Sequence, residues 1–397
     1  MNILQITNTV CTDKNQATGV NRVVTQLCDY WIHIHQDNCY LAYFNEDEEV
    51  SPLFKSSFHI IAPLDIDGFK AFLQNNQIEV IIFNFAADQM TKVIKNVCEI
   101  ARQHDIKVIY CFHFMPGYEG FSHGSFEEVW YSIISRKDVY DKIKKWMIKT
   151  SKPLSTKFIH RQIKKKYEPA YLECNKIVVF TKPYIEKYLR IVKGNDRTKF
   201  ETIPNPLSFS EFLPIESLKS KQKEMIFVGR FHEPQKKVSS VLKIWKQIEK
   251  NPLFDDWTLS IIGSGKDEPF YHWLANKLHL KRVSFQGRQD PKPYYRKASI
   301  LISTSAYEGW PMVLMEAMPM GCCCLAFDSY DAVHDIIQDG DNGRIIPNNN
   351  IKTYYKALAY LMLNEEKRIA MGLSAIESSK RFSMEIIGEK WRKLLIE

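Results

Sequence analysis

Short apolar runs alternate with longer mixed runs along the first half of the chain. This alternation is typical of a parallel α/β sheet whose strands are connected by helices. Helix-period stretches are predicted over 19–31 and 88–104, between apolar runs. The predicted strands are Asn2–Thr7, Tyr40–Phe44, Val80–Phe85, Lys107–Phe112 and Lys176–Phe180. The pattern therefore predicts a doubly wound sheet.

The second half starts a similar pattern at Met225, with predicted strands at 225–230, 258–262, 283–285, 300–303 and 323–327. Between the halves, Thr202–Leu207 has the proline density of an interdomain linker. We place the boundary at Pro204, which gives domains over 1–204 and 205–382. A last helix over 383–397 is expected to cross back onto the first domain. The predicted fold class is α/β, with two Rossmann-like domains that face a central cleft.

Length and composition agree with this division. A chain of 397 residues suits two domains, and 45% hydrophobic with 25% charged residues is ordinary for a globular protein. The N-terminus enters a strand without a basic leader, and no apolar stretch approaches the roughly 20 residues that span a bilayer. Nine cysteines, an odd number without a paired CxxC array, predict neither a disulfide framework nor a metal site. We therefore expect a cytoplasmic protein.

The positive charge is concentrated in one segment, 136–166. Twelve Lys or Arg stand there against two Asp, an excess of ten, while the whole chain carries only +8. Aromatic residues are interleaved with the lysines. A helix lying on an anionic membrane surface would have this composition, and so would a solvated helix with a few buried aromatics. Single-stranded nucleic-acid binding is the poorer third interpretation because no RNA-module motif accompanies the charge.

The first candidate site is the segment 305–318, which follows the predicted strand at 298–303 and is predicted to form a loop and then a helix. Pro311 fits the first helical position, and Gly309 lets the backbone approach a ligand. The free N–H groups of that first turn can bind a phosphate. Glu308 lies before the turn and Glu316 within the helix, so they could hold two parts of one extended ligand. The alternative is a buried corner with two solvated carboxylates.

The second candidate site follows the strand that begins at Met225. Arg230 stands at the strand end, and Lys236 follows six residues later. A diphosphate suits this pair, because Arg makes forked contacts with oxygen atoms and Lys acts as a point charge. The alternative is a surface loop with ordinary charges.

Two residues of the first half lie at predicted carboxyl ends of strands, where an open α/β sheet binds its ligand. His113 follows the strand that begins at Lys107. Gly19 opens a helix after the polar loop 8–18. The alternatives are a histidine satisfied by a neighbouring carbonyl and a glycine that only makes a turn.

Together these segments resemble glycosyltransferase family 4, the retaining, glycogen-synthase-like group with the GT-B fold. The spacing Glu308-x7-Glu316 resembles the Glu-x7-Glu motif of that family. The run from Gly229 to Lys236 is similar to its diphosphate-binding segment, with Lys237 where the family usually has Gly. The resemblance covers nearly the whole chain and is closest over 225–343. It is looser at the first loop, where Thr18 replaces the first of two glycines.

The resemblance implies a role for each matched residue. Glu308 and His113 would contact the donor sugar, Glu316 the nucleotide ribose, and Arg288 would lie near the base. The implied catalytic residues are His113, Arg230, Lys236 and Glu308. The implied donor-binding residues are Gly19, Arg288, Gly309, Trp310, Met312, Val313 and Glu316.

The implied activity is the retaining transfer of a sugar from a nucleotide diphosphate donor to a glycan hydroxyl. UDP is favoured as the nucleotide because it is common in the family. No metal ion or cofactor is expected to be needed. The basic segment also suggests that the acceptor is lipid-linked at the inner membrane face, as in capsule or O-antigen assembly. Two alternatives stay open: a nucleotide-sugar 2-epimerase of the same fold, which needs no acceptor, and a non-catalytic nucleotide-sugar binder.

Overall fold

The computed structural model describes residues 1–11, 19–45, 49–85, 91–121, 126–135, 140 and 155–397. Most of the loop 8–18, residues 88–90 of a predicted helix, and the basic segment except 140 and 155–166 lie outside these ranges. The chain forms two compact units. Unit 1 comprises Met1–Gly117, Lys157–Ser208 and Phe382–Glu397, and unit 2 comprises Tyr118–Thr156 and Phe209–Arg381. Unit 2 begins after Ser208 within the predicted linker. It also includes the described residues 118–121, 126–135 and 140, which the sequence division assigns to the first domain.

The strands of both units are parallel throughout, as doubly wound sheets require. In chain order they are β1 (Asn2–Thr9), β2 (Asn38–Asn45), β3 (Ser57–His59), β4 (Val80–Asn84), β5 (Lys107–Cys111), β6 (Lys176–Val179), β7 (Phe200–Thr202), β8 (Gln222–Val228), β9 (Thr258–Ile262), β10 (Val283–Gly287), β11 (Ala298–Ser303), β12 (Cys323–Asp328) and β13 (Gly343–Pro347).

The α-helices connect these strands. In chain order they are α1 (Gly19–His35), α2 (Ile66–Asn75), α3 (Thr91–Gln103), α4 (Phe126–Ser135), α5 (Ser155–Glu173), α6 (Lys182–Val192), α7 (Glu233–Lys236), α8 (Val238–Glu249), α9 (Glu268–Lys277), α10 (Lys292–Lys297), α11 (Met312–Ala317), α12 (Ala332–Ile336), α13 (Ile351–Leu363), α14 (Glu365–Ser379) and α15 (Met384–Ile396).

Unit 1 is built on a seven-stranded sheet with the order β3-β2-β1-β4-β5-β6-β7. The five predicted strands of this half form its centre, each within a few residues of the expected bounds. The sequence missed β3 and β7, which are three residues long and carry too few apolar positions to show a period. The strand order reverses between β1 and β4, so the carboxyl ends of these strands mark the ligand position expected for this sheet.

Unit 2 has a six-stranded sheet with the order β10-β9-β8-β11-β12-β13. Its core includes the fully buried indoles of Trp245 and Trp257, and both faces of the sheet are covered. The sequence missed β13. This strand has only two adjacent apolar residues, Ile345 and Ile346, and it is bounded by Gly343 and Pro347, which are uncommon in strands. Both units thus have the predicted α/β doubly wound fold.

The last helix, α15, belongs to unit 1, where it packs against α1. The rings of Trp31 and Trp391 meet edge to face with centroids 6.3 Å apart, and Arg392 Nη1 lies 2.8 Å from Asp37 Oδ2. A Cβ atom at Gly388 would come within 2.4 Å of the Tyr30 ring. The glycine therefore allows the two helices to approach closely.

All nine cysteines are buried thiols. Burial raises the pKa of most of them, for example to about 12 at Cys11 and Cys323. They act as small apolar core residues. Within the described ranges, no helix combines the length and apolar character needed to cross a membrane.

Three loops at the carboxyl ends of β8, β9 and β10 are joined by backbone hydrogen bonds. Gly229 donates to the Ile262 carbonyl at 3.0 Å, and Gly263 donates to the Gly287 carbonyl at 2.8 Å. A Cβ atom at Gly263 would lie only 1.9 Å from the Gly229 carbonyl oxygen. Glycine is therefore required at 263 by close approach, so this residue has a structural role.

We expect Gly263→Ala to lower the free energy of unfolding of unit 2 by about 3 kcal/mol, because the backbone must move to relieve the contact. Gly340→Ala is the matched control, since its φ of +86° is also left-handed but no atom lies within 4 Å of the new Cβ. It should cost only about 1 kcal/mol. Urea denaturation measures both values, and equal losses would show that the contact at Gly263 relaxes without cost.

Candidate functional site

The two sequence motifs meet at the point where the strand order of unit 2 reverses, between β8 and β11. The strand β8 ends at Val228, and Gly229 and Arg230 follow it. The strand β11 ends at Ser303, and its loop leads to Glu308. Ligands of open α/β sheets bind at the carboxyl ends of strands at such a reversal. The fold therefore places both motifs where a ligand is expected.

A polar cluster occupies this position. Lys236 Nζ lies 2.5 Å from Glu308 Oε1, and the Gln235 amide donates to Glu308 Oε2 at 3.3 Å. Arg230 in turn donates to Gln235 Oε1 at 3.1 Å. Three predicted residues are thus brought together by a fourth, Gln235, which sequence reasoning missed. A lone glutamine beside a lysine carries no recognisable signal.

Backbone contacts hold the two loops together beneath these side chains. The Ala306 N–H donates to the Gln235 carbonyl at 2.6 Å, and the Thr304 hydroxyl donates to the Lys236 carbonyl at 2.8 Å. Lys237 has a φ of +46°, the left-handed conformation that glycine adopts most easily. The left-handed turn therefore forms with lysine at this position, at a cost of roughly 1 kcal/mol.

Burial distinguishes the two cations. The side chains of Lys236 and Glu308 are only 14% and 10% exposed, whereas Arg230 is exposed. A mostly buried lysine requires a counter-charge, and Glu308 provides it. The pKa of the Tyr307 hydroxyl is raised by burial and then by the negative charge of Glu308. With two cations and one carboxylate, the cluster retains one positive charge for an anion.

Glu316 is held separately from this cluster. It is buried in α11, and the Tyr295 hydroxyl donates to its Oε2 at 2.8 Å. The helix begins at Met312, so Pro311 precedes the helix as its N-cap and does not occupy the first helical position as predicted. With six residues, α11 contributes only a short dipole, and charged side chains are the stronger anion ligands here.

The other predicted donor-binding residues of unit 2 take different positions. Gly309 and Trp310 lie in the buried loop before α11, and Met312 and Val313 are half-buried in its first turn. Arg288 is exposed directly after the edge strand β10, with β9 between that strand and β8. The structure therefore does not bring Arg288 into the hydrogen-bonded cluster.

In unit 1, His113 follows β5 and is connected to two neighbouring strands by a buried chain of amides. Its Nε2 lies 3.0 Å from Asn84 Oδ1, and Asn84 Nδ2 donates to Gln5 Oε1 at 2.7 Å. The same amide nitrogen faces the Ile82 carbonyl at 3.3 Å, which can only accept. The Asn84 oxygen therefore faces the histidine, and Nε2 carries the proton.

Burial lowers the pKa of His113 to about 4, so the imidazole is neutral at physiological pH. Sequence reasoning missed Gln5 and Asn84, although a polar residue at the end of an apolar run, as at Asn84, is the available signal. Gly19, the remaining predicted residue of this unit, is exposed as the first residue of α1 after the β1 loop.

We expect the His113 ring to titrate near pH 4 in NMR spectra, with the signal assigned by loss in His113→Gln. The folded pKa lies below the unfolded value of 6.5. The contribution of His113 to the free energy of unfolding is therefore fully present above pH 6.5 and is lost as the pH falls toward 4. Titration near pH 6.5 would contradict the buried amide chain.

Comparison with known proteins gives a family match in the second unit. Residues 209–378 match the family described as Glycosyl transferases group 1. An uncharacterized glycosyltransferase of Haemophilus influenzae is 31% identical over 229 residues, which are 57% of this chain and 62% of that protein.

A second relative has a more specific name. It is the Campylobacter jejuni GalNAc-alpha-(1->4)-GalNAc-alpha-(1->3)-diNAcBac-PP-undecaprenol alpha-1,4-N-acetyl-D-galactosaminyltransferase, 28% identical over 217 residues, or 54% of this chain and 57% of that protein. The chain thus spans about three fifths of the length of both curated relatives. The match at 209–378 and the names of these two relatives support the glycosyltransferase assignment made from the sequence.

Solved structures share the fold over the full chain. Anabaena HepE in complex with UDP-glucose has a TM-score of 0.72 at 13% identity and covers 100% of this chain and 99% of its own. Sucrose-phosphate synthase from Thermosynechococcus elongatus has a TM-score of 0.73 at 17% identity, covering 99% and 98%. The fold is therefore GT-B, with two Rossmann-like domains, as predicted. At these identities the likeness shows the fold alone.

Proposed function

We propose that this protein is a retaining glycosyltransferase of family 4 that transfers a sugar from a nucleotide diphosphate donor to a glycan hydroxyl. The observation that carries the proposal is the cluster of Arg230, Gln235, Lys236 and Glu308 at the strand-order reversal of unit 2. This cluster lies within the segment that matches the glycosyl transferases group 1 family. Its excess positive charge suits a diphosphate.

The chemistry follows from where charge develops. As the glycosidic bond to the diphosphate breaks, negative charge accumulates on the leaving phosphate oxygens, and fixed cations stabilise it. Lys236 and Arg230 supply these cations. A bound diphosphate would compete with Glu308 for Lys236, and the carboxylate released from that ion pair would then be available to the sugar hydroxyls. The ion pair thus keeps Glu308 and Lys236 in place before the donor binds.

Retention would follow from front-face transfer, as the family resemblance implies. A leaving phosphate oxygen accepts the acceptor proton while Glu308 and the neutral His113 contact the donor sugar. Neutral imidazole suits this position, because it can exchange hydrogen bonds with hydroxyls without adding charge. No step in this scheme uses a metal ion.

For the substrates, we infer a UDP-sugar donor and a lipid-linked glycan acceptor in capsule or O-antigen assembly. UDP-glucose is bound in the HepE structure, and the name of the Campylobacter relative describes an acceptor linked to undecaprenol through a diphosphate. Another relative is named for amylovoran biosynthesis. These names support cell-surface polysaccharide synthesis as the setting.

Nucleotide binding tests the diphosphate site directly. We expect calorimetry with EDTA present to show tight binding of UDP and weaker binding of GDP. Arg230→Ala and Lys236→Ala should each weaken UDP binding by about 10- to 100-fold, the loss expected when a charged hydrogen bond is removed. Lys223→Ala is the matched control, because its exposed ammonium pairs with Asp256 on the surface of the same unit.

Unchanged UDP affinity in both variants would contradict the assignment of the diphosphate site, and tighter binding of GDP would change the donor base. Turnover separates the rival activities. A transferase is expected to release UDP from UDP-sugar only when a glycan acceptor is present. Interconversion of epimers without acceptor would favour the 2-epimerase, and binding without turnover would favour a non-catalytic binder.

We also propose that the protein acts peripherally at the inner face of the plasma membrane, with segment 136–166 contacting anionic lipid. The excess of ten positive charges supports this, since each basic residue near such a surface contributes about 1 kcal/mol. A lipid-linked acceptor would be found at the same surface.

Flotation with liposomes tests this contact. We expect the protein to float with vesicles containing 30% phosphatidylglycerol and to remain unbound with pure phosphatidylcholine. Replacing Lys164, Lys165 and Lys166 by Gln should reduce flotation, whereas the same change at Lys390 and Lys393 should not. Binding that is independent of anionic lipid would remove the proposal.

A further inference from the structure

Glu233 is a buried acid directly behind the polar cluster. It is the first residue of the short helix α7, whose last residue is Lys236, and only 1% of it is exposed. The predicted diphosphate contacts do not use it. Its side chain therefore requires a separate explanation, because a carboxyl group is costly to bury.

The contacts of Glu233 cross the turn that follows Lys236. The Ser239 hydroxyl donates to Glu233 Oε1 at 2.5 Å, and the Ser239 backbone N–H donates to Oε2 at 3.2 Å. Ser239 is the second residue of α8, whose first-turn N–H groups lack partners within the helix. The carboxyl group thus connects the beginning of α7 to the beginning of α8. Lys236 and Lys237 lie between these two connected positions.

A second acid fixes the other end of this segment. Asp267 Oδ2 accepts a hydrogen bond from the Glu233 backbone N–H at 2.8 Å, and Asp267 is itself 4% exposed at the beginning of α9. On the far side of the turn, Thr304 donates to the Lys236 carbonyl. The segment from Glu233 to Lys236 is therefore held at its first residue by Ser239 and Asp267 and at its last residue by Thr304.

The surroundings of Glu233 are acidic. Burial raises its pKa to about 7, the hydrogen bonds from Ser239 oppose that rise, and the charge of Glu128 on α4 adds to it. Tyr271 on α9 also lies near the carboxyl group. A carboxyl group in such a position costs stability compared with an apolar side chain of the same size. What it provides is a fixed geometry at the Lys236 turn.

We propose that Glu233 is a positioning residue that holds Lys236 in place for the donor diphosphate. It acts through Ser239 and the left-handed turn at Lys237, and it does not touch the ligand. The role of Lys236 in this proposal rests on the function proposed above. A small displacement of a charged group that binds a ligand is enough to lower affinity substantially.

A double-mutant cycle separates positioning from general stability. We expect Glu233→Ala to weaken UDP binding about tenfold in calorimetry, Ser239→Ala to weaken it less, and Glu233→Gln to restore most of the affinity because its carbonyl oxygen still accepts a hydrogen bond. In a Lys236→Ala background, Glu233→Ala should have no further effect, since the group that it positions is absent.

Glu224→Ala is the matched control. Glu224 lies in the same unit on β8 and also accepts a serine hydroxyl hydrogen bond at 2.5 Å, from Ser260, but its contact does not cross the Lys236 turn. It should leave UDP affinity unchanged. Equal weakening by Glu233→Ala with and without Lys236, or equal weakening by Glu224→Ala, would overturn the proposal in favour of a purely structural role.

Crystal structures of the variants provide a readout that does not depend on nucleotide binding. In Glu233→Ala, Lys236 Nζ should move away from Glu308, whereas Glu224→Ala should preserve the 2.5 Å contact. If the unchanged protein binds neither UDP nor GDP, the proposed function fails while this measurement still decides the positioning role. An undisplaced Lys236 in both Glu233→Ala and Ser239→Ala would overturn it.

Discussion

The ion pair between Lys236 and Glu308 is the interaction on which the site of unit 2 depends. Both side chains are mostly buried, and neither charge could remain there alone. A buried pair contributes little net stability, because the loss of hydration offsets the attraction. Its value is geometric, since it fixes a cation and an acid next to each other. Gln235 extends the arrangement to the exposed guanidinium of Arg230.

The fold supplies the two ends of this pair from different strands. Lys236 follows β8 and Glu308 follows β11, which are hydrogen-bonded neighbours where the strand order reverses. Adjacent parallel strands end at the same edge of the sheet, so residues 72 positions apart in sequence meet without a long excursion of either loop. The close contact of Gly263 with Gly229 fixes the beginning of the first loop, and Thr304 fixes the turn after Lys236.

The sequence was most informative for the central strands and for the charged residues that follow them. Central strands show clear apolar runs, so the doubly wound fold of both units was predictable. Arg230, Lys236 and Glu308 were singled out by their resemblance to family motifs, and the structure brings their side chains together. Short edge strands such as β3 and β7 have too few residues for a period to appear. Gln235, Tyr295 and Asn84 were missed because their importance lies in a partner distant in sequence. No local pattern reveals that the Glu233 side chain is buried. Nor does a local pattern reveal that Arg288 follows the edge strand β10, which is separated from β8 by β9.

The predicted site residues of the two units differ in charge: unit 1 has a neutral histidine, and unit 2 has a buried ion pair. In unit 1, His113 is kept neutral by burial and by a chain of uncharged amides through Asn84 to Gln5. In unit 2, the buried charge of Lys236 is paired with that of Glu308. Behind this pair, burial and the charge of Glu128 raise the pKa of Glu233, which shows that ionised carboxylates are costly to pack there. A neutral hydrogen-bonding group suits recognition of hydroxyls, and a paired cation suits a diphosphate that can replace its partner.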